Sequence, residues 1–308
     1  VINRHSYCKT CYDIKIIESA INQYSYRPDG KFFISDKESA SSNICKEFEK
    51  NSPEELELVY SPNLFMGIEL EVQHKDDLKK GLSLFLKKAD ELGIKKYFYL
   101  KSDSSVSNGF EIVTHPLTLK FIKNKLKLHT FLSYLRAIGF TSYKSGACGL
   151  HVHVDKGYLT DNEINTINLT KLRIFFATNR KKIEEFSGRQ GVGVTYWQFE
   201  KCINPKDFLN MPYPSDRHFA VNFQSSRNTV EIRVFRGTLK YRKVLATLQF
   251  CDAIVNFVKD VSVVSLIQGD GLYVKNSWKR FLHWCKEKNE YQQFLSYFKS
   301  KEMEDTCA

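Results

Sequence analysis

No apolar run in this 308-residue chain approaches the roughly 20 residues that a membrane-spanning helix needs. Residues 1–15 are polar and charged, unlike a secretory signal. No segment of the sequence repeats internally. Cysteine is scattered rather than patterned: of the eight, Cys45, Cys148, Cys202, Cys251, Cys285 and Cys307 are dispersed, unlike a disulfide framework. The expectation is a soluble cytoplasmic protein with reduced thiols and no membrane partner.

Acidic residues are the scarcer charge. Thirty-five Asp and Glu face 46 Lys and Arg, for a net charge of +11 and a pI near 9.1. That balance suits nucleic acid, acidic peptides or nucleotide phosphates. Much of the excess, however, is lysine at scattered helical positions (Lys79, Lys80, Lys87, Lys88 and those of 120–127), which reads as a solvated surface. A nucleic-acid partner is therefore allowed but not favoured. The hydrophobic fraction of 42%, with 14% aromatics, is ample for a packed core and excludes global disorder.

Three regions are expected: an N-terminal extension over 1–60, a catalytic domain over 61–260, and a C-terminal helical segment over 261–308 packed on that domain. The extension carries Cys8 and Cys11 in a Cys-x-x-Cys spacing, a candidate zinc knuckle. A complete site needs two more ligands, either upstream of Val1 or from His5 and Cys45; the alternative is a pair without metal. From residue 64 the pattern alternates between strands and helices. Strands are predicted over 64–74, 97–101, 110–115, 150–154, 218–224 and 228–237. Helices are predicted over 76–92, 120–138 with Gly139 as C-cap, 241–259 and 277–299. Thr160 and Glu163 read as a capping box opening a helix that runs towards Lys182. Residues 188–214 read as a long irregular segment.

The chemistry lies in four short strands. In Thr229-Val230-Glu231-Ile232-Arg233-Val234-Phe235-Arg236 the apolar Val230, Ile232 and Val234 alternate strictly with Thr229, Glu231 and Arg233. A carboxylate and a guanidinium thus sit side by side on one sheet face, the pairing expected of a site that holds a cation and an anion together. Gly67-Ile68-Glu69-Leu70-Glu71-Val72 places two carboxylates on one face. Gly149-Leu150-His151-Val152-His153-Val154-Asp155 does the same with two imidazoles and an acid, and Phe110-Glu111-Ile112-Val113 adds another carboxylate. The expectation is a sheet whose concave, solvent-filled face is an active site. Asp103 reads either as a contributor to that site or as a loop-shaping residue. Arg173, Arg180 and Arg189 read equally as surface charges or as phosphate contacts.

Those segments, taken with Lys101-Ser-Asp-Ser-Ser-Val-Ser-Asn-Gly-Phe-Glu111-Ile-Val-Thr-His-Pro116 and Cys148-Gly-Leu-His-Val-His153, resemble the amidoligase family. These are carboxylate–amine ligases with the glutamine synthetase fold, related to glutamate–cysteine ligases. The resemblance covers residues 65–239 with all four motifs in family order. It implies an α+β fold, a curved and mostly antiparallel sheet with helices on its convex face, ahead of which members often carry zinc knuckles. It further implies an ATP-dependent carbon–nitrogen ligase that joins a carboxylate and an amine, as small molecules, peptides or protein side chains, through an acyl phosphate. Two or three Mg²⁺ or Mn²⁺ ions would assist. By that similarity Glu69, His151 and Glu231 would bind one metal and Glu71 and Glu111 another. His153 would lie towards ATP, and Arg233 and Arg236 towards the transferred phosphoryl group or the substrate carboxylate. Glutamine synthetases carry an arginine where this chain has Thr229, so either Arg227 replaces it or the acceptor differs from free glutamate. Other readings of the same residues are a two-metal hydrolase or nuclease, and a non-catalytic nucleic-acid or protein adaptor. The hydrolase has no natural use for the Glu231–Arg233–Arg236 grouping.

Overall fold

The structure, a computed structural model, describes residues 19–25, 64–143, 148–160, 166–189, 198–201, 204–224, 229–267 and 277–306. Its architecture is mixed α+β, built on one open sheet. In chain order the sheet strands are β1 (Ile21–Asn22), β2 (Phe65–His74), β3 (Phe98–Lys101), β4 (Gly109–Thr114), β5 (Leu117–Thr118), β6 (Phe140–Thr141), β7 (Gly149–Asp155), β8 (Val221–Asn222) and β9 (Thr229–Arg236). They lie side by side as β1-β3-β4-β2-β7-β9-β8, with β5 and β6 also pairing with the long β2. Every pairing is antiparallel except that of β1 with β3. No strand was expected as early as β1, which extends the β3 edge.

Helices α1 (Leu78–Glu91), α2 (Leu119–Asn124), α3 (Leu128–Ala137), α4 (Lys156–Thr160), α5 (Ile167–Thr178), α6 (Arg180–Ser187), α7 (Tyr241–Asp260), α8 (Val263–Ile267), α9 (Ser277–Lys286) and α10 (Gln292–Thr306) complete the fold. None of the described helices is long and apolar enough to cross a membrane. Asp77 caps α1 by accepting a hydrogen bond from the Lys80 amide, satisfying one of the free donors of the first turn. The single helix expected over 120–138 is two, parted where Lys127 adopts a left-handed backbone (φ 49°) beside the buried Leu126. Neither glycine nor proline marks that break; seating Leu126 in the core accompanies it.

The expected capping box is also corrected. Thr160 is the last residue of α4, its hydroxyl donating to Lys156 O at 3.1 Å, and Glu163 lies outside the described residues. Helix α5 then stops at Asn179, whose amide bonds Phe175 O and Ser277 Oγ, both at 2.9 Å. The C-terminal helix is likewise divided, because a short turn at Asn289–Tyr291 swings the Tyr291 hydroxyl inward to donate to Asp252 Oδ1 at 2.8 Å. Asn256 Nδ2 donates to the same oxygen at 3.2 Å. Full burial nonetheless pushes the Asp252 carboxyl up to about 6, against those two bonds.

The strand alternation sorts the sheet into two faces. Met66, Ile68, Leu70 and Val72 of β2, Leu150, Val152 and Val154 of β7, and Val230 and Ile232 of β9 are all buried in one apolar core. Phenylalanines from the helices close over that face. Phe85 of α1 meets Phe98 and Phe110 edge-on, and Phe250 of α7 packs on Phe235 and on Phe186 of α6. Helices α9 and α10 join the same core through Phe281 and Phe294, both in contact with Phe250. The other face carries the polar residues of the same strands.

Candidate metal centre

Antiparallel register turns four separate sequence motifs into one site. Glu71 lies opposite Glu111 of β4, Glu69 opposite His151 of β7, and His153 opposite Glu231 of β9. Directly opposed residues in such pairs have side chains about 5 Å apart, so a row of acids and imidazoles forms across the sheet. Two groups of three ligand atoms result, each with its atoms within 4.8 Å of one another: Glu69, His151 and Glu231, and Glu71, Asp103 and Glu111.

His151 stands between the two groups. Its Nδ1 is 3.5 Å from Glu231 Oε1 and 3.8 Å from Glu69 Oε2, while its Nε2 faces Glu71 Oε1 at 3.9 Å. Gly149 makes room for this ring, since a Cβ there would sit 2.7 Å from His151 Nε2. The Gly149 amide also donates to Glu71 Oε2 at 2.5 Å. His153 belongs to the first group's surroundings: its Nε2 lies 3.5 Å from Glu69 Oε1 and its Nδ1 is 2.9 Å from Thr229 Oγ1. Thr229, where the resemblance leads one to expect arginine, thus orients an imidazole. Glu231 accepts from Arg233 Nη1 at 2.6 Å and from Asn222 Nδ2 at 2.9 Å. Asp103 accepts from the Ser105 amide at 2.7 Å, which fixes its loop beneath Glu111.

The acids do not lie on an open, solvent-filled face, as the sequence reading had them. Glu71, Glu111 and Glu231 are at most 5% exposed, and His151 and His153 are 8% exposed. Enclosure decides their electrostatics. Burial alone would raise Glu69 and Glu231; the two imidazoles outweigh it for Glu69, and the imidazoles with Arg233 outweigh it for Glu231, so both stay below the usual carboxylate range. Glu111 goes the other way: burial, Glu69 and Asp103 push it up to about 9 against the pull of Lys101. Asp103, for which burial is outweighed by bonds from Glu111 and Ser105, is lowered. Burial among acids thus favours the protonated form of Glu111 over its charged form.

Buried atoms without hydrogen bonds show what these groups fit. Glu111 Oε2 and His153 Nε2 both lack a hydrogen-bond partner, the nearest cation to the former being Lys101 Nζ at 3.6 Å. An enclosed acid that must hold a proton among other acids is a place where a cation is favoured. These buried carboxylate and histidine clusters could hold a metal ion.

Among other expected contributors, Arg236 projects from the end of β9 with its guanidinium over the Tyr143 ring. Its position corrects the strict alternation. A bulge opposite His151 gives β9 one extra residue between the pairs Val152–Ile232 and Leu150–Phe235. Strict alternation would have put Arg236 on the apolar face with Val230 and Ile232. The bulge instead sends Phe235 into the core and pairs Arg236 with Gly149, on the polar face. Arg173 is a structural residue: its Nε bonds both oxygens of Glu200, at 2.8 and 2.7 Å, and its Nη1 bonds Met211 O. Arg180 forms a surface pair with Glu184 at 2.8 Å. Arg189 alone of the three comes to the site, with Nη2 3.4 Å from Cys148 O. Arg227, Cys8 and Cys11, with His5 and Cys45, lie outside the described residues.

Sequence reasoning missed Lys101 and Asn222. Lys101 opposes Glu111 in the β3–β4 register, and its place in the motif that runs to Glu111 was the available signal. Asn222 opposes Glu231 from the two-residue β8, too short to show a pattern. No family model matches the chain, and no curated protein matches it.

Proposed function

We propose that this protein is an ATP-dependent carboxylate–amine ligase of the amidoligase type, with a glutamine synthetase-like catalytic domain. One observation carries the reading: two adjacent three-ligand groups, five of their six ligands on one sheet face and Asp103 on the loop after β3, with Arg233 and Arg236 of β9 beside them. In it Glu69, His151 and Glu231 would hold one divalent ion and Glu71, Asp103 and Glu111 a second, oxygen-rich sets suited to Mg²⁺ or Mn²⁺. When bound, such ions neutralise the triphosphate charge that the acids would otherwise repel.

The chain's own residues position the reactants. Arg233, held by Glu231 through Nη1 at 2.6 Å, keeps a buried Nε without a hydrogen-bond partner for an incoming oxyanion. A rigid guanidinium beside the phosphoryl group stabilises charge as it redistributes in transfer. Enclosure of the carboxylates excludes water, which would hydrolyse an acyl phosphate. In the reaction one acceptor carboxylate oxygen attacks the γ-phosphorus and ADP leaves. The amine nitrogen then forms the C–N bond, loses a proton, and phosphate departs carrying that carboxylate oxygen.

The oxygen balance supplies the test. With ¹⁸O in the acceptor carboxylate, a ligase delivers one labelled oxygen to phosphate, in step with ADP release and dependent on the amine. Label entering phosphate only from solvent water would identify a hydrolase instead. The acceptor screen covers amino acids, peptides and protein side chains.

A further inference from the structure

We propose that Arg189, Arg236 and Lys243 form an oxyanion subsite beside the metal-binding groups. It would take a substrate group carrying two or more negative charges, either a phosphate or a set of carboxylates. Only the naming of the anion's carrier as a substrate rests on the ligase reading.

The three cations converge from three elements: Arg189 follows α6, Arg236 ends β9, and Lys243 lies in the first turn of α7. Arg236 and Lys243 meet at Gly188, the residue before Arg189. A Cβ at Gly188 would lie 2.7 Å from Lys243 Nζ and 3.7 Å from Arg236 Cδ, so both side chains pack against this bare, left-handed backbone (φ 74°). A Cβ at Gly149 would lie 3.1 Å from Arg189 Nη2 and 2.7 Å from His151 Nε2. Arg189 therefore adjoins an imidazole of the metal-binding groups, and the cations are continuous with that site.

Their hydrogen-bond and ring partners are neutral, although the Glu71 carboxylate acts on Arg189 without forming an ion pair. Lys243 Nζ donates to Ser187 O at 3.1 Å, Arg189 Nη2 to Cys148 O, and Arg236 lies over Tyr143. Among the described residues no carboxylate forms an ion pair with any of the three. Arg189 Nε is buried and has no hydrogen-bond partner, an arrangement that a ligand oxygen would complete. Burial and the neighbouring Arg236, Lys301, Arg189 and Lys240 also pull Lys243 down to about 8.

Stability does not explain this concentration of charge. Helix α7 begins with Lys240 at its N-cap, followed by Tyr241, Arg242 and Lys243, and has no acid in its first turn. The positive end of a helix favours acids, so these cations oppose the dipole. Glu71 offsets part of this charge at Arg189, yet two guanidiniums and an ammonium still exceed what one further carboxylate can neutralise, which points to a group of charge −2 or more.

The test is isothermal titration of the full chain with inorganic phosphate in chelator at low ionic strength, where no ligase reaction can run. Saturable single-site binding is expected, weakened at least tenfold in both R236Q and K243Q and unchanged in K87Q, at an exposed position of α1. If R236Q proves unfolded by circular dichroism, K243Q decides alone. Binding unaffected by these substitutions, or no saturable binding, overturns the subsite. Displacement of phosphate by a phosphate monoester or by tricarballylate names the source of the anion. Displacement by acetate at equal concentration, or by none of these, refutes the assignment. Phosphate binding that persists while no acceptor yields labelled phosphate would sink the ligase reading and leave the subsite standing.

Discussion

Replacing Glu231 by glutamine tests the metal centre most directly. Glu231 is 5% exposed, contributes to the group with Glu69 and His151, and accepts from both Asn222 and Arg233. Glutamine keeps the volume and one carbonyl acceptor but removes the charge that a divalent ion requires. A ligand that binds only the folded state at about 100-fold excess over its Kd stabilises it by about 2.7 kcal/mol. At about 2.1 cal/mol/K of unfolding entropy per residue, a chain of this size gains about 4 °C in Tm. Losing a direct ligand should weaken affinity by at least the roughly 100-fold seen when a supporting contact is lost. At the same ion concentration the variant would then gain only about 0.4 kcal/mol, or about 0.6 °C. The assay is thermal denaturation of both proteins in chelator and across a Mg²⁺ or Mn²⁺ titration. Equal rises in Tm for the wild type and E231Q would refute the assignment of this group.

Three further outcomes follow from the same structure. Arg233→Lys should cut turnover at least tenfold while changing Mg²⁺·ATP affinity less, because an ammonium cannot hold Glu231 and an oxyanion along two fixed directions; steady-state kinetics beside nucleotide titration would separate the two effects, and normal turnover would reduce Arg233 to a structural partner. Asp252 has its folded value raised to about 6 from an ordinary 3.8, so its favourable contribution is complete below about pH 4 and is lost as pH rises through 6. Asp252→Asn should therefore stabilise the protein by up to about 3 kcal/mol at pH 8 and by nothing at pH 4, provided the amide oxygen still accepts from Tyr291; urea melts at the two pH values check this, and a gain of equal size at pH 4 would count against it. Phe250→Ala, in a residue touching Phe186, Phe235, Phe281 and Phe294, should cost about 3–5 kcal/mol, measurable by the same melts, whereas a loss below 1 kcal/mol would mean that the cavity collapses.

The alternation of Ile68, Leu70 and Val72 with Glu69 and Glu71 determined, from sequence alone, which face of β2 is core and which is site. The same holds for β7, and for β9 as far as Arg233, because side-chain direction along a strand is set by the backbone's period of two. The approximate spans of α1 and α7 were equally legible, their apolar residues recurring at helical spacing. What joins the segments was not. Register between strands, which sets Glu71 against Glu111 and His153 against Glu231, is a property of pairs of strands. The bulge opposite His151 lies in β9 but exists only relative to β7, and it alone turns Arg236 from the core side to the polar side. The breaks at Lys127 and Tyr291 answer to core seats and a buried bond to Asp252, which no local propensity encodes. Arg173, Arg180 and Arg189 are chemically identical in the sequence. Only the tertiary structure buried the first against Glu200, left the second exposed beside Glu184 and gave the third a place beside His151, because an arginine's role depends on which anions the fold brings within reach.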